Sequence, residues 1–152
     1  MTDDTRSWLT FDCYDTLVGY TKGKAGALAA IVAGKGGDDI AVEKAQTAFE
    51  ETEKKLQLGP FVIFNQVIRQ SLIAGLSMAG METTTEDEET VLDAVKAAMP
   101  FPDVRPALED LRKDYRLAIL SNSEPSIIHH NIAAIGIEFD AVVLAAETKC
   151  YK

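Results

Sequence analysis

The chain is short of cysteine, tryptophan and positive charge. Two cysteines, Cys13 and Cys150, among 152 residues are too few to build a disulfide scaffold. Cys150 has no His or Cys partner at zinc-ligand spacing, so no zinc is expected on it. Acidic residues outnumber basic ones 24 to 15, for a formal net charge of −9. A nucleic-acid binder needs a basic stripe, and none is visible. An anionic membrane surface is excluded by the same electrostatics. No apolar run approaches the roughly 18 residues that cross a bilayer. The stretch from Met1 to Trp8 is polar and acidic, unlike a secretory signal. These scarcities lead us to expect a cytoplasmic protein with free thiols and neither nucleic acid nor membrane as partner.

What is present is an ordinary globular composition, 47% hydrophobic and 26% charged. Three short apolar runs read as strands: Trp8-Leu9-Thr10-Phe11, Tyr115 to Leu120, and Ala141 to Ala145. Each ends in polar residues, the pattern of parallel strands with chemistry at their carboxyl ends. Helical patterns lie between the later runs, over Val104 to Lys113 and over Pro125 to Ile135. The second opens on a proline and closes at Gly136. Strand, helix, strand, helix, strand spells an α/β sheet.

The stretch from 19 to 99 contains no convincing strand. Ala25 to Ala33 is small and apolar, and Gly34-Lys35-Gly36-Gly37 breaks it. Ile40 to Leu58 mixes Ala, Glu and Lys in helical fashion. Phe61 to Met78 carries apolar Phe64, Val67, Ile68, Leu72 and Leu76 on one face. Thr83 to Glu89 reads as a solvated linker running into a helix that stops before Pro100. Residues 19–99 are therefore read as a helical insert after the first strand, and residues 1–18 with 100–152 as the core. His129 and His130 fall on the last helix as surface or packing residues.

The sharpest motif is Phe11-Asp12-Cys13-Tyr14-Asp15-Thr16-Leu17 directly after the first strand. With Leu120-Ser121-Asn122 and Tyr151-Lys152 it resembles the haloacid dehalogenase superfamily, most closely its 2-haloacid dehalogenases with a helical cap. The resemblance implies a Rossmann-like three-layer α/β core with a parallel sheet and an inserted cap. It implies Asp12 as nucleophile, Ser121 as a hydrogen-bonding partner for a carboxylate oxygen, and Lys152 as the cation that keeps Asp12 ionised. Tyr14, Thr16 and Asn122 are implied to contact the substrate, a small haloacid. Phosphatases of the superfamily place an acid two residues after the nucleophile to protonate a poor leaving group. That position is Tyr14 here, and a halide leaves without a proton. No metal and no cofactor are expected, because the resemblance places the phosphatases' further acidic ligand beyond Lys152.

The resemblance also implies further strands after the third motif. The sheet carried here is expected to be partial, truncated after Lys152, with its C-terminal strands missing. The Trp8–Phe11 strand would then be an open edge, available for association with a second copy. Dehalogenases carry a cap arginine near the start of the insert, yet no arginine lies between Arg6 and Arg69. Lys22, Lys24 and Arg69 are the nearest cations. The common residue at the Asp15 position is glycine. Two alternatives stand beside the dehalogenase: a phosphatase of the same superfamily, and a catalytically silent remnant that serves as an interaction module.

Overall fold

The computed structural model describes residues 5–152; the part of the amino-terminal reading that falls on residues 1–4 lies outside them. Strand β1 (Trp8–Phe11) is followed by four helices, α1 (Tyr20–Gly34), α2 (Asp39–Leu58), α3 (Phe64–Met78) and α4 (Thr85–Lys96). Helix α5 (Val104–Leu111), strand β2 (Arg116–Ser121), helix α6 (Pro125–Ile135), strand β3 (Ala141–Leu144) and the short α7 (Ala145–Thr148) complete the order. The three strands form one parallel sheet in the order β1-β2-β3. The sheet is α/β and partial, as expected. Its central strand is β2, where Leu117, Ala118 and Ile119 are buried.

β1 lies at the edge of the sheet. Trp8 and Thr10 are exposed, and Leu9 and Phe11 only half-buried. Among the described residues only β2 lies beside it, so one edge and much of its surface are open. The Arg116 guanidinium covers part of the Trp8 ring at 4.0 Å.

Two apolar clusters hold the molecule together. One lies under the sheet and joins Leu17, Val18, Leu108, Leu117, Ile119, Ile128 and Ile135. The other lies among α1–α4 and joins Leu28, Phe49, Phe64, Leu72, Leu76 and Val95, with Ile127 of α6 reaching into it. Tyr14 packs against both. In the second cluster α2 and α3 approach so closely that a Cβ at Gly75 would lie 2.6 Å from the Ala45 carbonyl oxygen. Only glycine fits that contact.

The acidic stretch from Thr83 to Glu89 runs into a helix N-terminus as read, but from Thr85 onward it is already the first turn of α4 rather than a linker. The Thr84 hydroxyl accepts from the Asp87 N–H and the Asp87 carboxylate accepts from the Thr84 N–H, a capping box that starts α4. Asp87 also pairs with Lys35 at 2.9 Å, and Glu88 and Glu89 both hold Arg69. Charges that look dispersed in the sequence tie three helices together. α1 likewise begins at Tyr20, five residues before its apolar run. The Asp15 carboxylate accepts from the Thr21 N–H at 2.9 Å and from its hydroxyl at 2.5 Å, and so satisfies a free donor of the first turn.

Candidate active site

The carboxyl ends of β1 and β2 lie side by side, because Phe11 and Ile119 are in register. That register sets the turn starting at Asp12 against the turn starting at Ser121. The first turn is tight: the Cys13 carbonyl accepts from the N–H groups of Thr16, Leu17 and Val18. Asp15 sits in the left-handed region at φ 58°, where glycine is at ease and aspartate is tolerated. Its side chain turns toward α1 rather than toward Asp12.

The Lys152 ammonium lies 2.5 Å from Asp12 Oδ1 and donates to the Leu120 carbonyl at 2.7 Å. Thr16 Oγ1 donates to Asp12 Oδ2 at 3.3 Å. Asn122 Oδ1 accepts from the Lys152 N–H at 3.0 Å. Asp12 and Lys152 side chains are 42% and 45% exposed, so the pair opens onto a cleft rather than into the core. That cleft encloses about 530 Å³ between the strand ends and α1–α3.

The two remaining residues of the reading point elsewhere. Ser121 is buried, and its hydroxyl accepts from the Ser123 N–H at 3.3 Å. Among the described residues it makes no hydrogen bond to Asp12. Tyr14 lines the cleft with its ring, stacked on Tyr20 at 4.7 Å and on Phe64 at 5.6 Å. Its hydroxyl is hydrogen-bonded to Ser123 Oγ at 2.8 Å and donates to Asn131 Oδ1 at 3.3 Å. Burial pushes the Tyr14 phenol well above its ordinary range, outweighing the Ser123 hydrogen bond that lowers it. Tyr14 therefore stays protonated near neutrality and donates without acting as a base. Burial, with the Asp12 charge beside it, pushes the Cys13 thiol up to about 12.

Several contacts lay beyond the reach of sequence reasoning. Asn131 donates to the carbonyls of Val95 and Lys96 at the end of α4 at 3.0 and 3.1 Å. Glu124, buried at the start of α6, accepts from the Asn65 N–H at 2.9 Å and so caps α3. Tyr151 donates to the Val62 carbonyl, and its ring packs on Phe61 at 5.3 Å. On the helical wall, Lys24 pairs with Glu53 at 2.6 Å and Tyr20 donates to the same carboxylate. Lys24 was visible only as one of the nearest cations. Glu53 had no signal at all. Among the described residues no cluster of three or more His, Cys, Asp or Glu is arranged to hold a metal ion.

A family model for haloacid dehalogenase-like hydrolases matches residues 7–152. Comparison with curated proteins finds no match. Among solved structures, L-2-haloacid dehalogenase from Xanthobacter autotrophicus superposes with a TM-score of 0.78 at 23% identity, covering 97% of this chain and 60% of that one. A defluorinating L-2-haloacid dehalogenase gives 0.77 at 21% identity, covering 97% of this chain and 63% of that one. The magnesium-bound HAD-hydrolase YfnB from Bacillus subtilis gives 0.77 at 15% identity, covering 94% and 66%. The chain spans 60% of the length of the first of these relatives. At such identities the superpositions establish the fold, and the family model establishes the kinship. The partial parallel α/β sheet agrees with the superpositions, and the chain belongs to the haloacid dehalogenase-like hydrolases.

Proposed function

We propose that the protein is a hydrolase of carbon–halogen bonds in short 2-haloacids, working through an ester on Asp12. The observation that carries this reading is the Lys152–Asp12 pair at 2.5 Å, open to a cleft in which the position two residues after Asp12 is held by the phenol Tyr14 rather than by a carboxylic acid. In the reading, residues 19–99 act as a cap over a core of 1–18 and 100–152. An Asp12 oxygen attacks the carbon that bears the halogen. The carbon–halogen bond breaks, and the halide leaves with the bonding pair. Water then adds to the carbonyl carbon of the ester, and the acyl–oxygen bond breaks. The 2-hydroxyacid departs with an oxygen that came from Asp12, and one proton is released.

The side chains supply position and charge. Lys152 pairs with one Asp12 oxygen and fixes it, while Thr16 holds the other. Asn122 is tied to the Lys152 backbone and faces the cleft, where it can meet the substrate or the leaving halide. Ser121 shapes the second turn. A halide needs no proton, so a phenol in place of a carboxylic acid is no obstacle, whereas an alkoxide leaving from phosphate would need one. Two free cysteines fit a cytoplasmic setting, and the open β1 edge fits association with a second copy. The test is chloride release from 2-chloropropionate by the protein and by Asp12→Asn, which removes the nucleophile. The variant should fall to the uncatalysed background. Release that persists in Asp12→Asn sinks the reading.

A further inference from the structure

Glu124 is a buried carboxylate that the proposed displacement does not use. It is the N-cap residue of α6, and its own carbonyl accepts from the Ile127 and Ile128 N–H groups at 3.2 and 3.0 Å. An acidic N-cap ordinarily turns its carboxylate onto the free N–H groups of its own helix. Among the described residues Glu124 makes no such bond, and its carboxylate reaches across to the helical insert. Oε2 accepts from the Asn65 N–H in the first turn of α3 at 2.9 Å, and Oε1 accepts from Asn65 Nδ2 at 3.2 Å. Ser126 Oγ donates to Oε1 at 2.6 Å and fixes the side chain from its own helix. One carboxylate thus lies at the amino ends of α3 and α6 together, where both macrodipoles favour it.

The residues on either side of this contact belong to the cleft. In the turn before Glu124, Asn122 lines the cleft and Ser123 Oγ is hydrogen-bonded to the Tyr14 hydroxyl at 2.8 Å. Beside Asn65 stands Phe64, whose ring is stacked on Tyr14 at 5.6 Å. Tyr20 completes the stack at 4.7 Å from Tyr14. All three rings line the cleft with Asp12. Tyr14 is carried by the turn after β1, whereas Phe64 and Tyr20 are carried by the insert. A gap of about 0.5–1 Å already forfeits a quarter to a half of a van der Waals contact. The rings therefore form one wall only while α3 keeps its place against the core. A shift of α3 away from Tyr14 would pull the Asn65 N–H off a buried charge, and leaving that charge unsatisfied is costly.

We propose that Glu124 is a positioning residue: it holds the Tyr14–Phe64 wall in place beside Asp12, and through that wall it sets how well the cleft takes the apolar substituent on the halogen-bearing carbon. The proposal rests on the displacement at Asp12 and adds no step to it.

The experiment compares chloride release from 2-chloropropionate, which carries a methyl substituent, and from chloroacetate, which carries none. The unaltered full chain should show a KM about fourfold lower for 2-chloropropionate, the effect of burying one methyl group. Glu124→Ala should erase that advantage while leaving kcat for chloroacetate within about twofold. Glu124→Gln keeps an oxygen for the Asn65 N–H and should restore most of the advantage. No advantage in the unaltered protein, an advantage unmoved by Glu124→Ala, a loss confined to kcat, or no rescue by Glu124→Gln overturns the proposal. If Glu124→Ala does not fold, Asn65→Ala decides. It removes the Nδ2 bond together with an Oδ1 that is buried without a hydrogen-bond partner among the described residues, and it keeps the backbone N–H. The advantage should then fall to about twofold, and an unmoved advantage overturns the proposal. If neither halide substrate is turned over, the dehalogenase reading fails and NMR titration with unreactive propionate and acetate decides alone. Tighter binding of propionate, with that preference reduced in Asn65→Ala, upholds the positioning role. Equal binding, binding of neither, or a preference unmoved in Asn65→Ala overturns it.

Discussion

Lys152 Nζ and Asp12 Oδ1, 140 residues apart in the chain, meet at 2.5 Å. The ammonium is held in place from the second strand by the Leu120 carbonyl at 2.7 Å. It therefore aims the carboxylate as well as neutralising it. Lys152→Met keeps the length of the side chain and removes the charge. On the proposed mechanism, chloride release should drop by about 10²-fold, the scale of losing one charge-stabilising donor. Steady-state kinetics should place the loss in kcat.

Asp15 joins a left-handed backbone to a distant helix cap. Asp15→Ala removes the acceptor for the Thr21 N–H and hydroxyl and leaves a side chain at φ 58°. It should cost about 1–2 kcal/mol of stability. Asp15→Gly loses the same acceptor and relieves the backbone, so it should cost less. Urea denaturation of the two variants checks the order.

Asn131 links the Tyr14 hydroxyl to the carbonyls that end α4. Asn131→Ala strands those buried groups and should destabilise the protein by about 1–3 kcal/mol. The urea midpoint should fall with the slope unchanged.

Cys13 and Cys150 should behave oppositely. Cys13 is buried, with its thiol pushed from 9.0 to about 12, while Cys150 is exposed. Iodoacetamide should label Cys150 and spare Cys13 in the folded protein. The unfolded chain releases the Cys13 proton near pH 9.0, whereas the folded protein holds it to about 12. The stability tied to this thiol is therefore complete below pH 9.0 and is lost as pH rises toward 12. Cys13→Ala should flatten that alkaline decline, measured by urea denaturation across the range.

The sheet was legible because its strands are compact apolar runs with polar ends. β1 matches the run Trp8–Phe11, and α6 runs from Pro125 to Ile135, with Gly136 at φ 72° closing it. Asp12, Lys152, Thr16 and Asn122 converge because the turns after β1 and β2 and the segment after α7 carry recognisable residues and meet at one end of the sheet. The helical wall was not legible. Lys24 and Glu53 lie on different helices with no motif joining them, and only the packing of α1 on α2 brings them together. The helix entry of the acidic run from Thr83 was legible, but its ion pairs to Lys35 and Arg69 leave no periodic trace. The exposure of β1 followed from what lies beside it, which its own four residues do not encode.

The central claim is that Asp12 becomes covalently bound to substrate. Turnover of a 2-halo substrate in heavy-oxygen water, followed by mass analysis of the peptide containing Asp12, tests it most directly. Hydrolysis at the ester carbonyl should leave heavy oxygen on Asp12, and the product of the first turnover should carry ordinary oxygen. Heavy oxygen in that first product, with none on the Asp12 peptide, would mean that water attacks the substrate directly and would contradict the account.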